Sequence, residues 1–353
     1  MNANYLEAIV LYCLRQFRLE RSKAAIFHLL KGKKSSQTIQ DSFLFDLPNF
    51  FGICPQLQKL SFEKILHRLE SQSWIQRITD EFYQITDNGE QLLKTVLAEK
   101  PIPPALNGMI YNEIGYIFWL RLSLFVQTIS HLVYNNSKFL PITNSDKLKQ
   151  FVKSYIFQLN MPKQTLGKET YAELEQLLGK MGEKEALLVF NRFPGYQKKG
   201  VTFEQLAIAL DEDSFYLRLV FQSAVLQMMQ YLRNDPNQFN VLSGLLKGLS
   251  KHYPLTASAE KTFDLLKKGL SIEEIALARR LKRNTIEDHI VEIALNVPHF
   301  HFEQFMKQED LQKIRETIIK LKTNKLKSVK EFLKNEYTYF QIRLAMASMR
   351  RQT

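Results

Sequence analysis

Two runs near the C-terminus decide the fold of this chain: Thr262-Phe-Asp-Leu-Leu-Lys-Lys-Gly-Leu-Ser-Ile-Glu-Glu-Ile-Ala276 and, shortly after it, Thr285-Ile-Glu-Asp-His-Ile290. The first run predicts a helix over Ala259–Lys268 that ends at Gly269, because glycine adopts the left-handed conformation that closes helices. A second helix is predicted from Ser271 to Arg279, since Ser271 and Glu274 have the spacing of a capping box.

A tight turn, Arg280-Leu-Lys-Arg283, separates this second helix from a third, which is predicted to begin with Asn284 as its cap. Three short helices with such a turn are typical of a helix-turn-helix, whose last helix presents its N-terminus to the major groove of DNA. The side chains predicted to contact phosphates or base edges there are Arg280, Lys282, Arg283, Asn284, Thr285 and His289. The acids Glu287 and Asp288 disfavour base readout, so contact with the DNA backbone is the favoured interpretation. A three-helix bundle with a solvated basic corner remains the alternative.

The same runs resemble the helix-turn-helix at the C-terminus of many RecQ-type helicases. The shared pattern is G-x-S-x-x-E-I-A followed by T-I-x-x-H-[LI], here at 269–276 and 285–290. The tail over Leu326–Ala345 is also similar to the end of that domain. Residues 320–351 carry nine basic side chains against Glu331 and Glu336, which fits either a surface that lies on DNA or a solvated helix face.

The first hundred residues resemble the winged-helix domain that follows the motor of RecQ proteins. The resemblance rests on Ala25–Gln37, on the hairpin predicted from Trp74–Ile78 and Phe82–Thr86, and on the phrase Ile85-Thr-Asp-Asn-Gly-Glu-Gln-Leu92. It implies phosphate contacts by Lys31, Lys33, Lys34, Ser35 and Ser36, and a place at the end of a duplex for Arg77, Phe82 and Tyr83. Packing of the two aromatic rings between wing and core is the equally weighted alternative. The hairpin is short, so binding to a junction is favoured over strand separation.

The chain is expected to be mainly α, with three domains. An N-terminal winged helix with a small β-hairpin is predicted over residues 1–99, a helical middle domain over 105–252 and a helix-turn-helix bundle over 255–353. The first boundary is Lys100-Pro-Ile-Pro-Pro104, which cannot continue a helix, and the second lies near His252-Tyr-Pro254. The middle region resembles no family, although Thr202–Ala207 repeats the pattern of Ser271–Ala276. Acidic Asp211-Glu-Asp213 stands where a DNA-reading helix would begin, which favours a scaffold or docking role there.

Composition supports a polyanionic partner and a reducing compartment. The 353 residues have a net charge of +12, and lysines and arginines that neutralise phosphates release condensed counterions. Two cysteines, Cys13 and Cys54, cannot form a disulfide framework or a four-cysteine zinc site. The apolar stretch Ile114–Val133 contains Arg121 and His131 at helical spacing, which predicts a core helix and no membrane association. We therefore expect a cytoplasmic, nucleoid-associated protein.

No motif for catalysis or for a cofactor is present. Helicase chemistry requires a glycine-rich loop ending in Gly-Lys-Ser/Thr, and the closest runs, Gly32-Lys-Lys34 and Gly167-Lys-Glu169, lack both the upstream glycine and the hydroxyl residue. His299-Phe-His301 lacks a third ligand, so no metal site is expected. The chain is predicted to be no enzyme, with no cofactor and no small-molecule substrate.

The resemblance to the two flanks of a RecQ motor, without the motor, implies an accessory in DNA repair or recombination. Such a protein supplies DNA-binding modules in trans to a RecQ-type helicase and has DNA (a fork, junction or duplex) and that helicase as partners. A transcription regulator with two DNA-binding heads is the main alternative, and a purely structural interaction protein is the third.

Overall fold

A computed structural model of the chain describes residues 3–249 and 255–349. The boundary predicted near His252-Tyr-Pro254 and the last two arginines of the basic tail lie outside the described residues. The helices of the first part of the chain are α1 (Tyr5–Phe17), α2 (Lys23–Lys31), α3 (Ser36–Leu44), α4 (Lys59–Ser71), α5 (Asp87–Glu99), α6 (Gly108–Ile110), α7 (Tyr116–Val133), α8 (Asp146–Leu159) and α9 (Lys163–Gly179). Those of the second part are α10 (Glu183–Arg192), α11 (Phe203–Leu210), α12 (Ser214–Asn234), α13 (Ala257–Leu266), α14 (Ile272–Arg279), α15 (Arg283–Asn296), α16 (Gln308–Leu321), α17 (Leu326–Phe332) and α18 (Tyr339–Met349).

The fold is mainly α, as predicted, with one antiparallel hairpin among the described residues. Strands β1 (Ile75–Arg77) and β2 (Tyr83–Ile85) pair with Gln76 opposite Gln84. The hairpin follows α4 and precedes α5, which is the order of elements in a winged helix. Thr86 fixes the exit from the hairpin, because its hydroxyl donates to the carbonyl of Ser73 and accepts from the backbone N–H of Gly89.

Contacts divide the chain into two compact units that are not continuous in sequence. One unit comprises Met1–Ile9 and Leu93–Lys251, and the other comprises Val10–Leu92 and His252–Thr353. We call the first the middle unit and the second, which contains the segments predicted to bind DNA, the DNA unit. The division into three sequence domains remains a prediction, but the N-terminal and C-terminal segments share a compact unit.

The middle unit is built on two long helices. The buried side of α12 includes Leu217, Phe221, Val225 and Met228, at helical spacing, and α7 packs against α8, α9 and α12. The segment Gly108–Val133 is long and apolar enough to cross a membrane by length and composition alone. However, 56% of its most apolar window is buried inside the protein, as in the core helix of a globular unit.

Helices α11 and α12 of the middle unit repeat the local geometry of α14 and α15. Thr202 and Ser271 each form a capping box with the residue three positions on, Gln205 in one case and Glu274 in the other. The sequence pattern common to Thr202–Ala207 and Ser271–Ala276 therefore corresponds to a common conformation. The two helices also end alike, because Asp211 (φ 51°, ψ 48°) and Arg280 (φ 53°, ψ 43°) both adopt the left-handed conformation.

The C-terminal part of the DNA unit packs around α15. Its buried residues Ile286, Ile290, Val291 and Ala294 belong to an apolar core to which α14, α16, α17 and α18 also contribute. Helix α3, from the N-terminal segment, packs against α15 as well. As a result, neighbouring helices cover α15 along most of its length.

Candidate nucleic-acid interface

The turn of the helix-turn-helix is fixed by backbone conformation rather than by a side-chain cap. Arg280 closes α14 by donating its backbone N–H to the carbonyl of Leu277, 3.1 Å away. Lys282 is the N-cap of α15, and no side chain caps this helix. The prediction that Asn284 is the cap is therefore wrong by two residues, because Asn284 lies inside the first turn of α15.

The exposed residues of α15 lie in its first turn. Arg283 and Asn284 are exposed and Thr285 is half-buried, whereas Ile286 and every residue from His289 to Ala294 are buried. An inserted recognition helix needs an exposed face several turns long, and α15 has none. Its free N–H groups and its dipole still favour an anion at the N-terminus. The geometry thus supports contact with phosphates more than readout of bases.

Ion pairs neutralise the acids that flank this first turn. Arg283 donates from Nε to Glu287 at 2.9 Å, and it also pairs with Glu273. Asp288 is paired with Arg343 of α18. Arg280 and Lys282 are exposed, and within the described residues neither is placed in an ion pair. These two cations are therefore the ones most available to DNA, and Arg283 would have to exchange its carboxylate partners for a phosphate.

His289 belongs to the core and not to the surface. It is 7% exposed, and its Nδ1 lies 2.9 Å from the hydroxyl of Thr262 and 3.3 Å from Arg279. Burial and the charge of Arg279 lower the pKa of His289 to about 4. We do not retain His289 among the proposed DNA contacts, because its ring joins α13, α14 and α15.

The N-terminal phosphate candidates lie between α2 and α3. Lys31, Lys33 and Lys34 are exposed. Ser35 is the N-cap of α3, and its Oγ accepts from the backbone N–H of Thr38 at 3.3 Å. Ser36 is half-buried as the first residue of that helix. The three lysines can reach a phosphate, whereas the Ser35 hydroxyl is already used to cap α3.

A cleft of about 730 Å³ lies between α3, α15, α17 and α18, and Asn284 is the only predicted contact residue that lines it. Gln37 of α3 and Asn284 of α15 lie on its wall, next to residues of α17 and α18. Lys327 and Lys330 of α17 also line it, and Lys330 Nζ lies 4.6 Å above the centre of the Tyr339 ring. We call this the DNA cleft. It combines Gln37 and Asn284, from the first turns of α3 and α15, with two lysines, Arg343 and an aromatic ring. The acids Glu287 and Asp288, which are ion-paired with Arg283 and Arg343, also line it.

Gln37 and Tyr339 are not among the residues that the sequence predicts as contacts. For the lysines of α17, the sequence fits a solvated helix face as well as it fits a surface that lies on DNA. Nothing in the local sequence of α3 points to α15, because the pairing joins segments about 250 residues apart in sequence. The basic tail is the only available signal, and it does not specify which lysines face a cleft.

The hairpin positions its three candidates differently. Arg77 is exposed and pairs with Glu70 at 3.3 Å, and its guanidinium lies 5.5 Å from the centre of the Tyr83 ring. Tyr83 is 4% exposed, and Phe82 is half-buried. The packing alternative therefore accounts for Tyr83, which is not retained as a group that stacks on bases. Arg77, at the end of β1, and Phe82, just before β2, remain candidates.

Within residues 3–249 and 255–349, no group of three or more histidine, cysteine or acidic side chains could hold a metal ion. His299 and His301 are both exposed on the loop that follows α15.

Two known families resemble this chain, one in its C-terminal domain and one over its full length. The model of a helix-turn-helix domain family matches residues 258–346, from α13 to α18, so the DNA unit contains a domain of a DNA-binding type. Over all of its 353 residues the chain is 35% identical to Protein YpbB of Bacillus subtilis (strain 168), and the match covers 99% of that protein. The chain belongs to the family of that protein. No solved structure matches it.

Proposed function

We propose that this protein is a non-enzymatic DNA-binding accessory that supplies its winged-helix and helix-turn-helix modules in trans to a RecQ-type helicase, in DNA repair or recombination. The observation that carries the proposal is the DNA cleft, where α3 of the N-terminal module and α15 of the helix-turn-helix share one wall. Two modules that build one cleft can hold one nucleic-acid backbone, which suits a fork or junction. The resemblance to both flanks of a RecQ motor supports the choice of partner.

Binding in this cleft depends on phosphate charge and is insensitive to sequence. The first turn of α15 offers few base-reading side chains, and the lysines of α17 act as point charges. We therefore expect affinity for DNA to fall steeply with salt and to vary little among duplex sequences. A transcription regulator would instead need strong discrimination between sites, and the enclosure of α15 disfavours that alternative.

A charge-reversal series tests the start of α15, at Lys282, and the DNA cleft, at Lys327. Labelled fork, duplex and single-stranded DNA are titrated with the wild type and with the Lys282→Glu and Lys327→Glu variants over a range of salt. Each substitution should weaken fork binding roughly threefold to tenfold and make the slope of log affinity against log salt less negative by about one. Lys168→Glu makes the same charge change on an exposed position of α9, outside the DNA unit, and should leave affinity unchanged. Equal loss in all three variants would contradict the assignment of the cleft.

The helicase partner needs its own experiment. A RecQ-type helicase from the same genome is assayed for unwinding of the fork with and without this protein. The wild type should increase the unwinding rate or lower the helicase concentration required, and Lys282→Glu should do so less. If the wild type binds forks but neither changes unwinding nor co-purifies with the helicase, the accessory role fails while DNA binding stands.

A further inference from the structure

The middle unit contains a cavity to which no role has been assigned. Its volume is about 660 Å³, and it lies between α7, α8 and the segment 247–249. This volume is in the range of sites that bind small molecules. None of its lining residues is acidic, whereas Arg121, Lys147 and Lys247 all line it.

Arg121 is the unusual group in this cavity. It is 9% exposed, and within the described residues no carboxylate pairs with it. One terminal nitrogen donates to the carbonyls of Leu245 at 3.0 Å and Lys247 at 2.7 Å, and the guanidinium lies 3.6 Å from the centre of the Phe151 ring. The Nε has no hydrogen-bond partner. A buried cation without a counter-ion is costly, and an anion in the cavity would offset that cost.

The start of α8 adds to the positive potential. Ser145 is its N-cap and lines the cavity, but its side chain makes no capping hydrogen bond. The free N–H groups of the first turn therefore favour an anion nearby. Asp146, the acid of this turn, pairs with Lys149 at 2.7 Å and does not line the cavity. Lys147 and Lys247 are exposed and are in no ion pair among the described residues.

We propose that this cavity binds the phosphate monoester of a small organic molecule of nucleotide size. Three cations and a helix N-terminus match a group that carries nearly two negative charges and three acceptor oxygens. The hydroxyl of Ser154 supplies a further donor, and apolar Ile117 and Leu148 give the rest of the ligand a surface to contact. The site lies wholly within the middle unit, so it is a different site from the DNA cleft.

A structural role of Arg121, in which it only ties the segment after α12 to α7, would require none of these other features. Such a role would not explain why two lysines and the uncapped start of α8 also line the cavity, or why no acid does. Substitution of Arg121 would change both ligand binding and stability. Lys147 and Lys247 are exposed, so substituting them tests ligand binding without removing the contacts of Arg121.

Thermal unfolding of the full chain is measured in potassium phosphate and in potassium chloride at equal ionic strength, and then with adenosine 5′-monophosphate and with adenosine. Phosphate and the nucleotide should raise the Tm of the wild type, because a ligand that binds only the folded state stabilises it, and adenosine should not. The Lys147→Gln/Lys247→Gln double variant should bind the nucleotide about tenfold more weakly by calorimetric titration. Lys153→Gln, at an exposed position of α8 that does not line the cavity, should match the wild type.

Three results would overturn the proposal. The first is an unchanged Tm of the wild type in both phosphate and nucleotide, and the second is an equal effect in the double variant. The third is loss of the effect in Lys327→Glu, which would assign phosphate binding to the DNA cleft. Because the readout uses no DNA, its failure leaves the proposed accessory function untouched.

Discussion

At the scale of single residues, the most informative group is the buried ring of His289. Arg279 donates to the hydroxyl of Thr262, which leaves that hydroxyl to donate to Nδ1 of His289. His289 Nδ1 is therefore an acceptor, and the neutral ring with its proton on Nε2 fits this site. Each of the three residues comes from a different helix, α13, α14 or α15. These hydrogen bonds therefore connect the three helices of the helix-turn-helix in its interior.

Protonation of His289 should destabilise the DNA unit. Its folded pKa of about 4 is below the unfolded value near 6.5, so its contribution to stability is complete above pH 6.5 and is lost as pH falls towards 4. Between pH 7 and pH 5, the wild type should lose about 1–2 kcal/mol more unfolding free energy than His289→Gln. Urea unfolding at the two pH values measures this, with His67→Gln, an exposed position of α4, as the control. Parallel losses in the wild type and His289→Gln would show that the ring does not titrate in this way.

At the scale of elements, helix ends decide how the N-terminal module is built. Gly32 closes α2 in the left-handed conformation with φ 76°, and its backbone N–H lies 3.0 Å from the carbonyl of Leu29. A Cβ at this position would lie 2.8 Å from Cα of Gly52. The two glycines let the end of α2 meet the 51–54 loop at backbone distance, where Gly52 donates to Leu29.

Gly32→Ala should therefore destabilise the protein. A side chain at positive φ and a backbone clash together should cost about 1–3 kcal/mol of unfolding free energy. Gly179→Ala is the matched control, because Gly179 is in α9 and nothing lies within 4 Å of the place that its added methyl group would occupy. That substitution should be neutral or stabilising by up to about 1 kcal/mol. Chemical denaturation of the two variants compares them directly, and an equal effect of both would contradict the role given to Gly32.

Elements with strong local signals are predictable from the sequence, and those fixed by distant contacts are not. The capping box at Ser271, the end of α2 at Gly32 and the hairpin around 78–82 are all encoded in a few neighbouring residues, and the structure contains them. Helix α3 is not predicted, because it has no such pattern and lies in a segment that is rich in turn-forming residues. It is stabilised instead by packing on α2 and α15.

The candidate site divides in the same way. The exposure of Arg280 and Lys282 follows from a basic turn between two helices, which the sequence displays. The burial of Tyr83 and His289 does not follow from the local sequence. Residue type alone does not tell whether a neighbouring element covers an aromatic or imidazole ring. The DNA cleft itself requires the pairing of α3 with α15, which no local pattern contains.

A shared conformation does not imply a shared function for α11 and α14. Where α14 is followed by Arg280 and Lys282, α11 is followed by Asp211 and Asp213. Asp213 caps α12 and also accepts from the backbone N–H of Tyr5 at 3.0 Å. In the middle unit these acids serve the fold, and a phosphate would be repelled there.

At the scale of the whole molecule, the DNA unit is assembled from both ends of the chain. Glu20 accepts from the hydroxyl of Thr323 at 2.8 Å and from the backbone N–H of Asn324 at 2.9 Å. The side chain of Asn324 donates to the carbonyl of Leu44, at the end of α3. The turn between α16 and α17 is therefore held by the N-terminal segment, in addition to the packing of α3 on α15.

This arrangement predicts that the C-terminal segment is less stable by itself than in the full chain. A fragment of residues 255–353 exposes the surface of α15 that α3 covers and leaves the 322–325 turn without its partners. Its midpoint of urea unfolding should rise when an equimolar fragment of residues 1–99 is added, because binding to the folded form stabilises it. A 1–99 fragment with Glu20→Ala should raise the midpoint less, since it leaves two donors of the turn unpaired. Three independent domains would instead give a 255–353 fragment whose midpoint does not respond to either partner, and that result would also remove the structural basis for a cleft shared by both modules.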